Sequence, residues 1–327
     1  MPVKSNIEAL RDTMAAEMRR DPAIIITGED VGPRGGVFRA TEGLFNEFGP
    51  SRVIDSPLSE LSIVGVGIGM ALNGIRPICE IQFADFIHPA FNQIVNEAAK
   101  MRYRSNGQFC VPMVIRAPYG GGISGALYHS QSIEAFFCHI PGLYVVAPST
   151  PYDTAGLLRT ALRSPDPVLF LEHKKLYRAI KGEVPEELFF VPIGKAQVAR
   201  PGDDLTIIAY GLMFHESLKA ADALAKDGVS AEVIDLRTLA PLDKEAILTS
   251  VRKTGKVLIV YEDNYTGGLG GEVAAIIAEN AFEYLDGPIT RVAGPDIPAM
   301  PFSHPMQDFF LPNAEKIAAA ARLLAAY

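Results

Sequence analysis

The sequence predicts an α/β fold with two three-layer α/β/α domains and largely parallel sheets. The chain has 327 residues, about twice the length of a common domain. In both halves, short and continuously apolar strands alternate with amphipathic helices, as they do in doubly wound parallel sheets. Residues 174–204 lack this periodicity and accumulate prolines and glycine. We therefore expect domains at residues 1–178 and 204–327, with a linker at 179–203.

The first half begins with a helix, because Ser5 and Glu8 form a capping box and Asp21-Pro22 is a stop signal. A second helix is predicted after Pro57, a third around residues 91–101, and a fourth from Pro151 with Thr150 as its cap. The apolar runs that separate these helices predict strands at residues 23–27, 52–54, 78–83, 111–117, 143–147 and 168–172.

The second half repeats the alternation. Strands are predicted at residues 205–210, 231–235, 256–261 and 289–293, and Asn313 caps a closing helix. Residues 267–271 form a glycine-rich stretch before another helix, but the Gly-x-Gly-x-x-Gly spacing is broken at Val273. Close packing is the favoured interpretation. A dinucleotide-binding oxidoreductase is the alternative from a different functional class.

Composition and charge exclude several classes of function. The formal net charge of −8 argues against nucleic acid and anionic membranes as partners. There is no apolar run of 18 residues, and the N-terminal stretch carries Glu8, Asp12 and Glu17, unlike a targeting peptide, so we expect a cytoplasmic protein. Cys79, Cys110 and Cys138 are too widely spaced for a zinc site and suit reduced thiols.

Glu60 is the first candidate site residue, because a carboxylate stands among apolar residues at the start of a helix. One interpretation is a first-turn glutamate that complements the helix dipole, with Ser56 or Ser59 as the cap. The other is a buried carboxyl that shares a proton with a ring nitrogen of a bound ligand. Gly65, Gly67 and Gly69, with Ala71, make the same helix thin enough for another backbone or a flat ligand to approach.

Four further candidate residues lie in segments that follow strands, where open α/β sheets bind ligands. Glu29 and Asp30 either contact a ligand or cap loop amides, and the second interpretation is favoured. Phe86 is either a core residue or a stacking surface. His129 lies in a long glycine-rich segment without a second metal ligand nearby, so it is either structural or a group that transfers protons.

These motifs resemble the beta subunits of the thiamine-diphosphate-dependent 2-oxoacid dehydrogenases. The resemblance covers nearly the entire chain and is carried by residues 28–32, 55–60, 80–86, 128–132, 148–153, 169–174 and 235–239. It implies a pyrimidine-binding domain followed by a transketolase-type C-terminal domain.

The resemblance also implies roles for single residues. Glu60 is expected to hydrogen-bond the aminopyrimidine of thiamine diphosphate and so to favour the tautomer that activates the thiazolium carbon for attack on a 2-oxo acid. Phe86 is expected to stack on the pyrimidine, and Leu58 and Gln82 to surround it. His129 is expected to transfer protons while the acyl group passes to a lipoyl arm.

Metal binding is expected mainly outside this chain. Thiamine diphosphate needs Mg²⁺ to bridge its phosphates to the protein, typically through a Gly-Asp-Gly segment, and this sequence contains none. We therefore expect an alpha partner to hold the diphosphate and its Mg²⁺. Family members often bind a structural K⁺ after the fourth helix, but Ser164 and Asp166 replace the usual Asp and Asn, which argues against this ion.

The resemblance implies two kinds of partner. Two alpha and two beta chains are expected to assemble, and a lipoyl acyltransferase core is expected to bind through the C-terminal domain. Residues 125–132 and 134–137 look most like the branched-chain members, whereas residues 182–188 and Pro301-Phe302 suit pyruvate or acetoin enzymes equally well. We therefore expect the beta subunit of a branched-chain 2-oxoacid dehydrogenase, with a pyruvate or acetoin dehydrogenase as the alternative.

Overall fold

A computed structural model describes residues 1–327, and its internal contacts divide the chain into two compact units. The first unit contains Met1–Tyr119 and Phe136–Ile193, and the second contains Gly120–Ala135 and Gly194–Tyr327. The segment Gly120–Ala135 therefore interrupts the first unit in sequence but belongs to the second unit. None of the helices combines the length and the apolar character that a membrane-spanning helix needs.

Fourteen strands form the sheets. They are β1 Val3–Ser5, β2 Ile24–Gly28, β3 Val53–Asp55, β4 Arg76–Glu80, β5 Val114–Tyr119, β6 Tyr144–Val146, β7 Val168–His173, β8 Lys181–Glu183, β9 Gln197–Arg200, β10 Leu205–Ala209, β11 Ala231–Asp235, β12 Thr238–Ala240, β13 Val257–Asn264 and β14 Thr290–Gly294. The predicted linker therefore contains two short strands, β8 and β9.

Twelve α-helices accompany the strands. They are α1 Asn6–Arg20, α2 Leu44–Phe48, α3 Glu60–Leu72, α4 Met101–Arg104, α5 Glu134–Cys138, α6 Pro151–Ala161, α7 Leu176–Ala179, α8 Gly211–Lys226, α9 Lys244–Thr254, α10 Gly270–Ala281, α11 His304–Phe310 and α12 Ala314–Ala325. The predicted caps of α1, α6 and α12 are confirmed, since the side chains of Ser5, Thr150 and Asn313 each accept a backbone N–H in the first turn.

In the first unit the parallel strands run in the order β6, β7, β5, β4, β2, β3. Helices α1 and α6 cover one face and share an apolar core with the strands, which includes Leu10, Ile26 and Leu157. Helix α3 packs on β4, and a Cβ at Gly67 would lie 2.4 Å from Cys79 Sγ. Only glycine allows this close approach. The predicted three-layer α/β/α arrangement is confirmed here.

In the second unit the order is β14, β13, β10, β11, β9, and only β9 is antiparallel to its neighbour. Helices α8 and α12 pack on each other and on the sheet, and they share a core that includes Phe214, Val233 and Ile317. Helices α9 and α10 also pack on each other and contact β10 and β13. This unit has the predicted fold as well.

The helix that we predicted around residues 91–101 is not continuous. A short 3-10 turn at His88–Ala90 is followed by a π-helical segment, Gln93–Ala98, and then by α4. The Ala99 N–H donates to the Ile94 carbonyl, which is the wider hydrogen bond of a π turn. The prediction of one regular helix was therefore wrong, because apolar spacing alone does not reveal the extra residue in the turn.

Candidate active site

The carboxyl ends of neighbouring strands meet at one edge of the sheet in the first unit. Gly28 of β2 is level with Asp55 of β3 and Glu80 of β4, and Glu80 is level with Arg116 of β5. Gly28 has no space for a side chain, since a Cβ there would lie 2.8 Å from the Glu80 carbonyl oxygen. Polar groups are therefore concentrated at the edge where parallel α/β sheets bind ligands.

Glu60 is the first residue of α3, and only 9% of it is exposed. Ser59 occupies the N-cap position, but its hydroxyl donates to the Ser62 hydroxyl at 2.9 Å and caps no backbone N–H. Ser59 therefore has the predicted N-cap position, but its side chain does not form the predicted capping hydrogen bond. No hydrogen bond within the chain ends at the Glu60 carboxyl, so its acceptor oxygens are available to a ligand.

The negative charge of Glu60 affects the pKa of the neighbouring acid Glu29. Burial raises the pKa of Glu29, and the carboxylates of Asp30 and Glu60 raise it further. Asp30 itself forms an ion pair with Arg34 at 3.2 Å. Two acidic side chains thus lie near each other, an arrangement that suits an N–H donor from a ligand.

The other predicted residues of the first unit lie around the same ends of the strands. Leu58 directly precedes α3 and is 73% exposed. Gln82 follows β4, and Phe86 ends the 3-10 turn Ala84–Phe86, with its ring edge-on to Phe83 at 5.7 Å between centroids. Because α3 packs on β4, the structure places Glu60, Leu58, Gln82 and Phe86 at one end of this helix and strand pair.

His129 belongs to the segment Gly120–Ala135 of the second unit, whereas the candidate residues described above belong to the first unit. The segment is closed at its neck, because the Gly120 N–H donates to the Gln131 carbonyl at 3.0 Å. His129 is half-buried, and a Cβ at Gly125 would lie 2.9 Å from His129 Cβ. The loop therefore folds back tightly onto the histidine.

Sequence reasoning missed a buried ion cluster in the first unit. Arg116 is fully buried and donates to both oxygens of Glu172, at 2.6 and 2.7 Å, and to Glu80. The Tyr177 hydroxyl also donates a hydrogen bond to Glu172. Burial raises the pKa of Glu80 even though Arg116 opposes this. A charged residue within each of three apolar strand runs was the available signal, since buried charges need partners.

A second group of acids was also missed, and it lies in the second unit. Glu134 is fully buried, and its Oε1 accepts a hydrogen bond of 2.6 Å from the Tyr210 hydroxyl, whereas its Oε2 has no partner. Burial raises the pKa of Glu134 to about 8, and the charges of Asp263 and Glu262 add to this. Burial also raises the pKa of Asp263 to about 6. Glu134 therefore holds a proton at neutral pH.

The glycine-rich residues 267–271 are explained by packing. A Cβ at Gly268 would lie 2.5 Å from the ring of Tyr261, and one at Gly270 would lie 2.1 Å from the same ring. The glycines thus allow the start of α10 to contact an aromatic side chain of β13. No cluster of three or more His, Cys, Asp or Glu side chains in the chain is arranged to hold a metal ion.

Comparison with protein-family models gives two matches. The model described as the transketolase pyrimidine binding domain matches residues 4–180, and the model described as the transketolase C-terminal domain matches residues 194–317. A solved structure titled "Split gene transketolase, inactive beta4 tetramer" aligns with a TM-score of 0.80 and 24% identity, covering 98% of each chain. This structural similarity supports the two-domain fold.

Curated proteins are similar to the chain over its full length. The chain is 58% identical over 327 residues to the 2-oxoisovalerate dehydrogenase subunit beta of Bacillus subtilis, covering 100% of both chains. It is 49% identical over 316 residues to the pyruvate dehydrogenase E1 component subunit beta of the same organism, covering 97% of each. A mitochondrial 2-oxoisovalerate dehydrogenase subunit beta 2 of Arabidopsis thaliana is 49% identical over 96% of this chain and 87% of that protein.

Proposed function

We propose that this chain forms a branched-chain 2-oxoacid dehydrogenase together with an alpha subunit, because it belongs to the family of 2-oxoacid dehydrogenase beta subunits. The complex would decarboxylate a branched 2-oxo acid oxidatively and pass the acyl group to a lipoyl-lysine. The observation that carries this choice of substrate is the 58% identity to a 2-oxoisovalerate dehydrogenase subunit, against 49% to a pyruvate dehydrogenase subunit. Pyruvate is the substrate of the second candidate function.

The residues of the first unit fit the aminopyrimidine end of thiamine diphosphate. Glu60 is largely buried, its carboxyl has no hydrogen bond within the chain, and it lies near a second acid, Glu29. Such a carboxyl suits a ring nitrogen that can share a proton with it. When bound, the cofactor supplies a carbon nucleophile for the ketone and accepts the electrons that carbon dioxide leaves behind.

Each of the predicted site residues then has a defined task. Glu60 would hold the proton that it shares with the pyrimidine nitrogen, and Phe86 would orient that ring by stacking on it. Leu58 and Gln82 would surround the ring and keep water away from the carboxyl. His129 would transfer protons during acyl transfer to the lipoyl group, a task for which its imidazole is suited at neutral pH.

An alpha subunit would complete the site. The chain contains no Gly-Asp-Gly segment, so we assign the diphosphate and its Mg²⁺ to the partner. The outer face of α3, defined as Leu61, Gly65, Val66 and Gly69, supports a partner that docks close by. Leu61 and Val66 are 47% and 54% exposed, and a Cβ at Gly69 would meet no atom within 4 Å. An apolar and thin helix face of this kind suits a second protein surface.

We leave a structural K⁺ out of the proposal, because the loop after α6 is held by arginines. Arg76 donates to the carbonyl oxygens of Leu162 and Ser164, at 3.0 and 3.3 Å. Arg102 forms an ion pair with Asp166 at 2.6 Å. Oxygens that a monovalent cation would need already bind positive charge, so this loop fits the ion poorly.

The function is tested with Glu60→Gln in the complex with the alpha subunit and acyltransferase. We expect normal assembly, because glutamine has the same shape and the carboxyl has no bond within the chain. Turnover of 2-oxoisovalerate should fall by at least about 100-fold, since the amide cannot hold the proton. Glu97→Gln, which changes a partly exposed acid on another segment, is the matched control. Undiminished turnover of Glu60→Gln would point instead to a non-catalytic assembly subunit.

The same reconstituted wild-type complex decides between the two substrates. The specificity constant kcat/KM should be at least about 10-fold higher for 2-oxoisovalerate than for pyruvate, which corresponds to about 1.4 kcal/mol of differential binding in the transition state. A higher value for pyruvate would reject the branched-chain assignment and retain the family assignment. Loss of Glu60 should reduce turnover of both substrates alike.

The docking role of the α3 face is tested with Gly69→Leu. The isolated chain should fold as well as wild type, because the added side chain enters open space and replaces a poor helix former, which is worth about 1 kcal/mol. Co-purification of the alpha subunit should be lost. Ala275→Leu, on an exposed position of α10, adds comparable bulk elsewhere and should keep the alpha subunit bound. Equal recovery of the alpha subunit with both variants would remove this face from the interface.

A further inference from the structure

The segment Gly120–Ala135 carries His129 and is held by side chains of the second unit. The Gly121 N–H donates to Glu262 Oε1, and the Ser124 N–H donates to Gln307 Oε1 at 2.9 Å. Glu262 lies on β13 and Gln307 on α11, and both are almost fully buried. Two backbone donors of the loop thus end on buried acceptors supplied by regular structure.

The loop conformation needs such support. Ser124 and Ala126 have φ angles of 55° and 54°, in the left-handed region that costs a residue with a side chain roughly 1 kcal/mol. A backbone of this kind persists only where surrounding contacts determine it. The Ser124 hydroxyl adds a contact of 3.4 Å to His304 Nδ1 on the same helix as Gln307. Helix α11 therefore fixes the strained part of the loop.

The strained part is adjacent to the residue that packs on the histidine. Gly125 follows Ser124, and a Cβ at Gly125 would lie 2.5 Å from the His129 carbonyl oxygen. A displacement of Ser124 would therefore move the backbone against which His129 rests. At the other end of the segment, the hydrogen bond from Tyr210 to Glu134 fixes the exit of the chain at 2.6 Å.

We propose that Gln307 and Glu262 are positioning residues for His129. Both would act through the loop backbone, Gln307 through Ser124 and Glu262 through Gly121, and neither would contact the reacting atoms. The inference rests on the proposed role of His129 in acyl transfer. Because a shift of about 1 Å in a reacting group slows a reaction by about 100-fold, buried acceptors that fix the loop have a direct effect on rate.

The experiment compares two half-reactions in the complex with the alpha subunit. Decarboxylation of 2-oxoisovalerate is followed with ferricyanide as electron acceptor, and acyl transfer is followed with the free lipoyl domain of the acyltransferase. Gln307→Ala and Glu262→Ala should each lower kcat for lipoyl acylation about 10-fold, as expected for the loss of one buried hydrogen bond. Ferricyanide-coupled decarboxylation and its KM for the 2-oxo acid should change by less than about 2-fold.

Conservative variants separate positioning from general stability. Glu262→Gln and Gln307→Glu keep the acceptor oxygen and should restore lipoyl acylation to within about 3-fold of wild type. Equal losses in both half-reactions, or no rescue by these variants, would overturn the proposal. If Glu262→Ala does not fold, the Gln307 pair carries the same test.

His129→Ala distinguishes failure of this inference from failure of the proposed function. If His129→Ala leaves lipoyl acylation intact, the proposed role of His129 is wrong and the positioning role falls with it. If His129→Ala abolishes acylation while Gln307→Ala and Glu262→Ala both behave as wild type, the proposed function stands and only the positioning role is rejected.

Discussion

Glu80 and Glu172 in the first unit lie against a buried guanidinium, whereas Glu134 in the second unit lies against a tyrosine hydroxyl and two further acids. Both groups are buried, yet different means make the burial tolerable. Arg116 supplies a countercharge in the first unit, and a bound proton neutralises Glu134 in the second. The first group should therefore be sensitive to loss of its cation, and the second to pH.

The largest effect is expected when the countercharge is removed. Arg116→Met should lower the free energy of unfolding by about 3–5 kcal/mol, because two carboxylates that are almost fully buried lose their partner. Urea unfolding of the purified chain at pH 7 measures this change. Arg102→Met removes a partly exposed ion pair with Asp166 and should cost about 1 kcal/mol or less.

Two results would contradict the role of Arg116 as the countercharge of the buried acids in the first unit. A loss of less than about 1 kcal/mol in Arg116→Met would mean that the carboxylates do not depend on the guanidinium. The companion variant Glu80→Gln, Arg116→Met, Glu172→Gln should recover part of the stability, since it removes the unpaired charges together with the cation. Lack of any recovery would assign the loss to packing instead of charge.

The pH dependence of the second group is the next largest effect. The folded-state pKa of Glu134, about 8, is higher than the ordinary value of 4.5, so the folded state binds more protons than the unfolded state between these values. The contribution of Glu134 to the free energy of unfolding should therefore fall as the pH rises from about 4.5 to about 8, by on the order of 1 kcal/mol per pH unit. Asp263, with a raised pKa of about 6, adds to the same trend.

Glu134→Gln should remove most of this slope. The amide oxygen can still accept from Tyr210, and no proton is released above pH 8. The variant should be more stable than wild type at pH 9 by a few kcal/mol and close to wild type at pH 5. Urea unfolding at pH 5, 7 and 9 gives both slopes. Parallel slopes for wild type and Glu134→Gln would show that Glu134 ionises normally.

Much of the fold follows from local sequence patterns. The strands β2–β7, β10, β11, β13 and β14 were predicted to within a few residues, whereas β9 was taken as part of a linker. The capping residues Ser5, Thr150 and Asn313 act as expected, because each depends on neighbours within a few positions. The placement of Gly120–Ala135 in the second unit depends on Gly121 and Glu262, which are 141 residues apart. Local periodicity contains no information about such a contact.

The partners of the buried acids could not be predicted from local sequence patterns either. Arg116 interrupts an apolar strand run and was visible in the sequence, but its partners Glu80 and Glu172 are 36 and 56 residues away. Glu134 and Tyr210 are 76 residues apart, and neither interrupts a strong pattern. Partner identity, and with it the protonation of a buried acid, follows from the packed structure and not from residue type.

The smallest effect is expected for Tyr210→Phe, which removes the hydroxyl that donates to Glu134. At pH 6 Glu134 is protonated, so the variant loses one hydrogen bond to a neutral group, about 1 kcal/mol. At pH 9 the acceptor in wild type is a carboxylate, and hydrogen bonds to charged groups are worth about twice as much. The cost of Tyr210→Phe should therefore grow from about 1 to about 2 kcal/mol between pH 6 and pH 9.

The pH dependence of this cost separates the hydrogen bond from simple packing. In the Glu134→Gln background, Tyr210→Phe should cost the same at both pH values, because the glutamine acceptor does not ionise. Tyr103→Phe, at a side chain that is 92% exposed, should cost nothing at either pH. If the cost of Tyr210→Phe in the wild-type background were equal at pH 6 and pH 9, Glu134 would not change its charge beside Tyr210, and the contrast between the two units would lose its chemical basis.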